Sequence, residues 1–284
     1  MNIKTIGIIG AGTMGSGINQ VMALSGFEVI MMDVKGEFLQ RGMENIKNGL
    51  SKMLEKEKIT LKEKKDAITR IHTTTKLKDM AKADFVIEAA PEIEELKLDI
   101  FKRLDAICAK DVILSTNTSS IPITRIASAA KRPDKVIGMH FMNPAPVMKL
   151  VEIIRGAKTS DETFATIKKL AEQIGKTPVE SKDRPGFIVN RILMPMINEA
   201  IFALMEGAAS REDIDTAMVL GTNQPIGPLS LVDLIGLDTV LSIMESIYKE
   251  TRDSKHQPCP LLKAYIDVGK LGMKAGEGFY KYNK

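Results

Sequence analysis

The chain has 284 residues, 44% of them hydrophobic and 27% charged, which is material for a large core and two domains and too apolar for a disordered chain. A formal net charge of +4, no Trp and no basic run interleaved with aromatics argue against nucleic acid as a partner and leave room for an anionic small molecule. Cys108 and Cys259 follow no metal or redox spacing, no signal-peptide pattern precedes the first strand, and the apolar segment 187–205 is broken by Asn190, Arg191, Pro195, Asn198 and Glu199; a cytoplasmic protein with no membrane span is therefore expected.

Residues 6–9 are Ile-rich and read as a buried strand. They feed Gly10-Ala11-Gly12-Thr13-Met14-Gly15, and 18–24 continue with helical periodicity to Gly26. A second strand, 28–32, closes on Asp33. In this order each glycine has a task. Gly10 makes the tight turn, Gly12 lets a pyrophosphate approach the backbone, and Gly15 lets helix and strand pack closely. Asp33 stands where a carboxylate accepts hydrogen bonds from ribose hydroxyls and repels a 2′-phosphate, which favours NAD(H) over NADP(H), although Lys35 lies nearby. A structural glycine turn is the alternative, but it needs neither the second strand nor its terminal Asp.

The crossover that follows is long. Residues 37–57 predict one amphipathic helix, and Thr60-Leu61-Lys62-Glu63 is a capping box that starts another, giving a helical hairpin standing off the sheet. Its lysines, Lys52 and Lys56 among them, read either as a solvated face or as a grip on a phosphate-bearing tail. Strands are expected at 70–74, 84–88 and 112–115, with a helix at 95–107. The strand 112–115 runs into Thr116-Asn117-Thr118-Ser119-Ser120, small polar residues that serve either helix capping or substrate binding. A short helix at 123–130 precedes the strand 136–141.

His140 lies in that last strand, and Glu152 is the sole carboxylate of the apolar run 147–154. If Asn143-Pro144-Ala145-Pro146 reverses the chain, Glu152 reaches one ring nitrogen of His140 and forms a carboxylate-oriented general base. A satisfied core histidine is the other reading, because buried ion pairs also occur without function. A helix at 163–174 and a strand at 177–180 complete the sheet, and 182–186 reads as a hinge. Helices are expected at 187–205, 211–220, 229–235, 237–249 and 261–268, with Pro195 kinking or locally breaking the first. The expected fold is α/β, a Rossmann-like doubly wound sheet with an inserted helical hairpin over 1–183, followed by an all-α domain over 184–284.

The chain resembles the 3-hydroxyacyl-CoA dehydrogenases, most closely the short bacterial 3-hydroxybutyryl-CoA dehydrogenases. The resemblance runs from about residue 6 to 282. It rests on GAGTMGSGINQ (10–20), EAAPE (88–92), STNTSS (115–120), GMHFMNPAPVMKLVE (138–152), KDRPGFIVNRIL (182–193), EDIDTAM (212–218), GPLSLVDLIGLD (227–238) and GEGFYKY (276–282). It implies His140 as catalytic acid/base, Glu152 as its orienting partner, Ser119 as a hydrogen-bond donor to the substrate's C3 oxygen near the nicotinamide, and Asn190 as a residue of the second domain that closes over the substrate. Cofactor contacts are implied for Gly10, Gly12, Met14, Gly15, Asp33, Glu92, Lys97, Asn117, Ser119 and Asn143. The hairpin lysines Lys52 and Lys56 match positions that hold CoA phosphates. Where some relatives carry a CoA-contacting serine on the hairpin, this chain has Gly49.

The resemblance also implies an acyl-CoA substrate, NAD(H), no metal, a homodimer and a place in fatty-acid or butanoate metabolism. Two other functions fit the residues: an NAD-linked dehydrogenase of a free hydroxy acid, and a non-catalytic NAD-binding protein. The second of these has no need of Ser119, His140, Glu152 and Asn190 together. His72 and His256 stand outside the constellation.

Overall fold

The computed structural model describes residues 3–282. It separates into two compact units, Met1–Arg184 and Pro185–Lys284. The first contains β1 (Thr5–Ile9), α1 (Thr13–Leu24), β2 (Glu28–Met32), α2 (Gly36–Glu55), α3 (Leu61–Thr69), β3 (Ile71–Thr74), β4 (Phe85–Glu88), α4 (Glu94–Ile107), β5 (Ile113–Thr116), α5 (Ile123–Ala127), β6 (Val136–Phe141), β7 (Leu150–Arg155), α6 (Asp161–Gln173) and β8 (Thr177–Lys182).

The eight strands form one sheet in the order β3-β2-β1-β4-β5-β6-β7-β8. Neighbours are parallel except β6 and β7, which are antiparallel. The parallel pairs follow from helical crossovers, and β4, β5 and β6 are buried along their whole length, as strands covered on both faces must be. The order reverses between β1 and β4. Beyond their C-terminal ends lies the crevice where doubly wound sheets bind ligands.

The helical hairpin packs down rather than standing off. Leu39, Ile46 and Leu50 of α2 join the same core as Ile6, Ile8, Ile18 and Met22. Two glycines permit the close approach to the β1–α1 segment: a Cβ on Gly42 would lie 2.9 Å from Ala11, and one on Gly49 would lie 2.4 Å from the Gln20 side chain. The capping box at α3 forms as expected, with Thr60 N donating to Glu63 at 2.7 Å and Glu63 N to Thr60 Oγ1 at 3.2 Å, an arrangement worth about 1 kcal/mol.

The second unit contains α7 (Val189–Met205), α8 (Arg211–Thr222), α9 (Pro228–Ile235), α10 (Leu237–Thr251) and α11 (Pro260–Asp267). Met194, Ile197, Ile201, Leu229, Val232, Val240, Met244 and Phe279 are among its core residues. α7 starts two residues later than its periodicity suggests, because Gly186 and Phe187 take positive φ angles of 75° and 50°. Pro195 lies inside α7 without ending it. Two carboxylates organise the unit from within. Asp215 accepts from Leu229 N, Ser230 N and Ser230 Oγ, and Asp233 accepts from Phe279 N, Tyr280 N and the Tyr282 hydroxyl. No helix among the described residues is long and apolar enough to cross a membrane.

Candidate active site

The glycine loop sits at the C-terminal end of β1. Gly10 has φ 105°, and a Cβ there would lie 2.4 Å from the Ala89 carbonyl oxygen. A Cβ on Gly15 would lie 2.0 Å from the carbonyl oxygen of Gly10. Both glycines are therefore required by the fold itself. Gly12 differs: nothing lies within 4 Å of its added Cβ, and no side chain caps the N-terminus of α1 at this residue. An open, uncapped helix start whose glycine answers to no internal neighbour is what a pyrophosphate needs. Asp33 is fixed beside it, accepting from Ala11 N through Oδ2 and from Val34 N through Oδ1, both at 2.7 Å. Lys35 is turned toward Glu37 (3.7 Å) and the Phe38 ring (5.5 Å to the centroid). These residues fit an adenine dinucleotide with free ribose hydroxyls.

Antiparallel pairing of β6 and β7 makes His140 and Glu152 direct register partners. Nδ1 of His140 lies 2.8 Å from Glu152 Oε2, and Nε2 lies 2.9 Å from Ser119 Oγ. The residues are 5% and 0% exposed, so the carboxylate acts in a medium that screens it poorly. A carboxylate accepts only. It therefore holds the proton on Nδ1 and leaves Nε2 as the acceptor for the Ser119 hydroxyl. The expected reversal at 143–146 thus occurs and brings the three side chains into one chain of hydrogen bonds.

A second network holds Ser119 in place. Glu92 Oε1 accepts from Thr118 Oγ1 (2.5 Å), Ser119 N (2.9 Å), Ser120 N (3.0 Å) and Ser120 Oγ (2.9 Å). Burial works to raise the Glu92 pKa, but the Lys97 charge and these hydrogen bonds outweigh it and hold the carboxyl below its ordinary range. Lys97, 1% exposed, bridges Glu92 at 3.4 Å and Glu88 at 2.6 Å and donates to Ala90 O at 3.1 Å. Glu88 also accepts from Ala90 N and Thr116 Oγ1. Lys97 thus lies within the framework beneath the Ser119 loop.

The remaining candidates are placed as follows. Asn117 accepts from Phe141 N at 2.8 Å and so ties the start of the Ser119 loop to the His140 strand. Met14 is half-buried in the first turn of α1, and Asn143 is exposed on the turn after β6. Lys52 and Lys56 are exposed at the end of α2, whereas Gly49 faces Gln20 of α1. Asn190 is buried near the start of α7 in the second unit.

His72 is exposed against Glu28 at 3.0 Å, and His256 lies in the second unit bonded to Thr251 at 3.0 Å. Sequence reasoning misses Glu88, although its signal is close to the one that exposes Glu152: a carboxylate among apolar strand residues. It also misses Asp183, which accepts from Ile123 N and Thr124 N and secures the segment read as a hinge.

Residues 5–184 match the family profile described as 3-hydroxyacyl-CoA dehydrogenase, NAD binding domain, and residues 186–282 match the corresponding C-terminal domain. A probable 3-hydroxybutyryl-CoA dehydrogenase of Bacillus subtilis is 53% identical over 284 residues, covering 100% of this chain and 99% of that protein. The 3-hydroxybutyryl-CoA dehydrogenase of Bradyrhizobium diazoefficiens is 50% identical over 280 residues, covering 99% and 96%. The crystal structure of (S)-3-hydroxybutyryl-CoA dehydrogenase from Ralstonia eutropha superposes with a TM-score of 0.95 at 49% identity over 100% of both chains. The chain belongs to the 3-hydroxyacyl-CoA dehydrogenase family, whose first domain binds NAD.

Proposed function

We propose that the protein interconverts (S)-3-hydroxybutyryl-CoA, and short 3-hydroxyacyl-CoA esters generally, with acetoacetyl-CoA. The observation that carries this reading is the chain Ser119 Oγ–His140 Nε2, 2.9 Å, and His140 Nδ1–Glu152 Oε2, 2.8 Å. NAD supplies the hydride acceptor for the oxidation, and NADH the donor for the reduction. In oxidation the neutral His140 takes the proton of the C3 hydroxyl on Nε2. In reduction the imidazolium returns it to the ketone oxygen. Glu152 holds the tautomer and stabilises the cation formed. Ser119 donates to the C3 oxygen as charge grows there, a contribution of about 2–4 kcal/mol for one such donor in comparable sites. Asn190 is assigned a second such donor on the strength of family membership.

The phosphates and ribose of the dinucleotide fall to the glycine loop and Asp33, and the CoA phosphates to Lys52 and Lys56. The handedness and the four-carbon acyl group come from likeness to the named relatives. The second unit, with Ile192, Leu220 and Leu234 exposed at 68%, 78% and 57%, is assigned the interface of a homodimer, and the cytoplasm is assigned as the compartment. A monomeric mass at micromolar protein would remove the dimer from the account.

The test is NADH oxidation with acetoacetyl-CoA and, in parallel, free acetoacetate. Turnover on the ester with little on the free acid supports the CoA reading, and Lys52→Glu with Lys56→Glu should then raise KM for the ester. Equal turnover on the free acid would replace it with a hydroxy-acid dehydrogenase. NADH binding without turnover on either would make the chain a non-catalytic binder.

A further inference from the structure

Lys176 is a buried cation that the chemistry above does not use. It is 9% exposed, in the short link between α6 and β8. Its Nζ donates to Ala145 O at 2.6 Å and to Met148 O at 2.8 Å. Both carbonyls belong to the turn that joins the His140 strand to the Glu152 strand. Two of the six residues from Asn143 to Met148 are proline and have no N–H to offer. Within the turn, Val147 N and Met148 N both go to Pro144 O. The Ala145 and Met148 carbonyls therefore take their donor from elsewhere in the fold, and Lys176 supplies both bonds.

The ammonium is delivered from rigid backbone. Gly175 takes φ 71° after α6, Gly175 N and Lys176 N close that helix on Glu172 O and Ala171 O, and Thr177 N pairs with Lys149 O just past the turn. Burial pushes the Lys176 pKa down, whereas the two carbonyls favour the ammonium form.

The turn also rests on α1, the helix whose N-terminus meets the dinucleotide phosphates. A Cβ on Gly17 would lie 3.2 Å from both Ala145 Cβ and Pro146 Cδ. The turn is thus bonded to Lys176 and packed on the helix of the glycine loop. Ala145 is buried at 2% exposure, whereas Asn143 stays open to solvent three residues after His140.

We propose that Lys176 is a positioning residue for the cofactor: its ammonium fixes the 143–148 turn against α1, so that Asn143 meets the dinucleotide beside His140. This rests on the NAD reading of the site and on Asn143 as one of its contacts.

The test is NADH binding by the full chain, followed through the fluorescence of NADH, with thermal unfolding of the apoprotein and steady-state kinetics alongside. Lys176→Met removes the ammonium at similar length. It is expected to raise the NADH Kd about tenfold or more, as loss of charge-assisted bonds at one anchor allows, while kcat at saturating NADH stays within about threefold of wild type. Gly17→Ala presses on the same turn from α1 and is expected to raise the Kd in the same direction, by about threefold to tenfold. It decides the question alone if the Lys176 variant does not fold.

Wild-type NADH affinity in the variants that fold, whatever their Tm, would reduce Lys176 to a packing role and overturn the proposal. A kcat that collapses at saturating NADH with unchanged Kd would overturn it as well. A wild-type protein that binds no NADH would instead overturn the cofactor reading, and the proposal with it.

Discussion

His140 and Glu152 face each other across an antiparallel step of the sheet, with Nδ1 and Oε2 2.8 Å apart and both side chains buried. In the proposed reaction the carboxylate sets which nitrogen of the ring carries the proton and stabilises the imidazolium. Glu152→Gln keeps the shape and loses both effects, so kcat should fall by roughly 10²–10⁴-fold with the NADH Kd nearly unchanged. Glu152→Ala should cost stability as well, about 1–3 kcal/mol, because the buried Nδ1–H of the ring loses its acceptor. Denaturant melts beside steady-state kinetics separate the two effects.

Gly12 and Gly15 should respond oppositely to the same substitution. Gly15→Ala forces a Cβ to 2.0 Å from the Gly10 carbonyl oxygen, so the apoprotein itself should be destabilised, by at least about 2 kcal/mol. Gly12→Ala meets nothing within 4 Å. The apoprotein should melt close to wild type while NADH binding weakens by about tenfold or more. Thermal melts with and without NADH check both halves.

Glu92 ties the Ser119 loop through four hydrogen bonds, and its carboxyl is held below the ordinary range. A depressed folded-state pKa contributes stability above the unfolded value of about 4.3, and that contribution is lost as pH falls through the folded value. The Tm difference between wild type and Glu92→Gln should therefore be constant near neutrality and shrink below about pH 4.5. A difference that grows on acidification would contradict the assignment.

Tyr280 and Tyr282 predict the alkaline behaviour of the second unit. Burial, then hydrogen bonds to Asp215 and Asp233 and the charge of those carboxylates, push both phenols well above their ordinary range. Above about pH 10 the unfolded chain releases protons that the folded chain keeps. Stability present below that pH is then lost as pH rises. Melts from neutral pH to about pH 11 should fall more steeply for wild type than for the double variant Tyr280→Phe, Tyr282→Phe.

Much of this architecture is legible in the order of the residues alone. A strand, glycines, a helix, a second strand and a closing Asp have one mechanical use together, and a carboxylate alone in an apolar strand demands a partner. The dinucleotide loop and the His140–Glu152 pair can both be read on those grounds. The turn at Pro144 and Pro146 then sets which residues face each other. What escapes such a reading depends on contacts between distant segments. Gly42 and Gly49 look like helix weak points until Ala11 and Gln20 are seen against them. Lys176 looks like one more surface lysine until the proline-rich turn takes its two bonds. Helix α7 begins late because Phe187 takes positive φ, and its apolar periodicity carries no sign of that.

The most direct test of the central claim is the rate of hydride transfer in His140→Gln under single-turnover conditions, with acetoacetyl-CoA and pre-bound NADH. Transfer should slow by at least roughly 10³-fold while the NADH Kd and Tm stay close to wild type, since the residue exchanges a proton and does not hold the cofactor. Transfer at a rate near wild type would contradict the account and leave His140 as a buried histidine paired with Glu152 for structure alone.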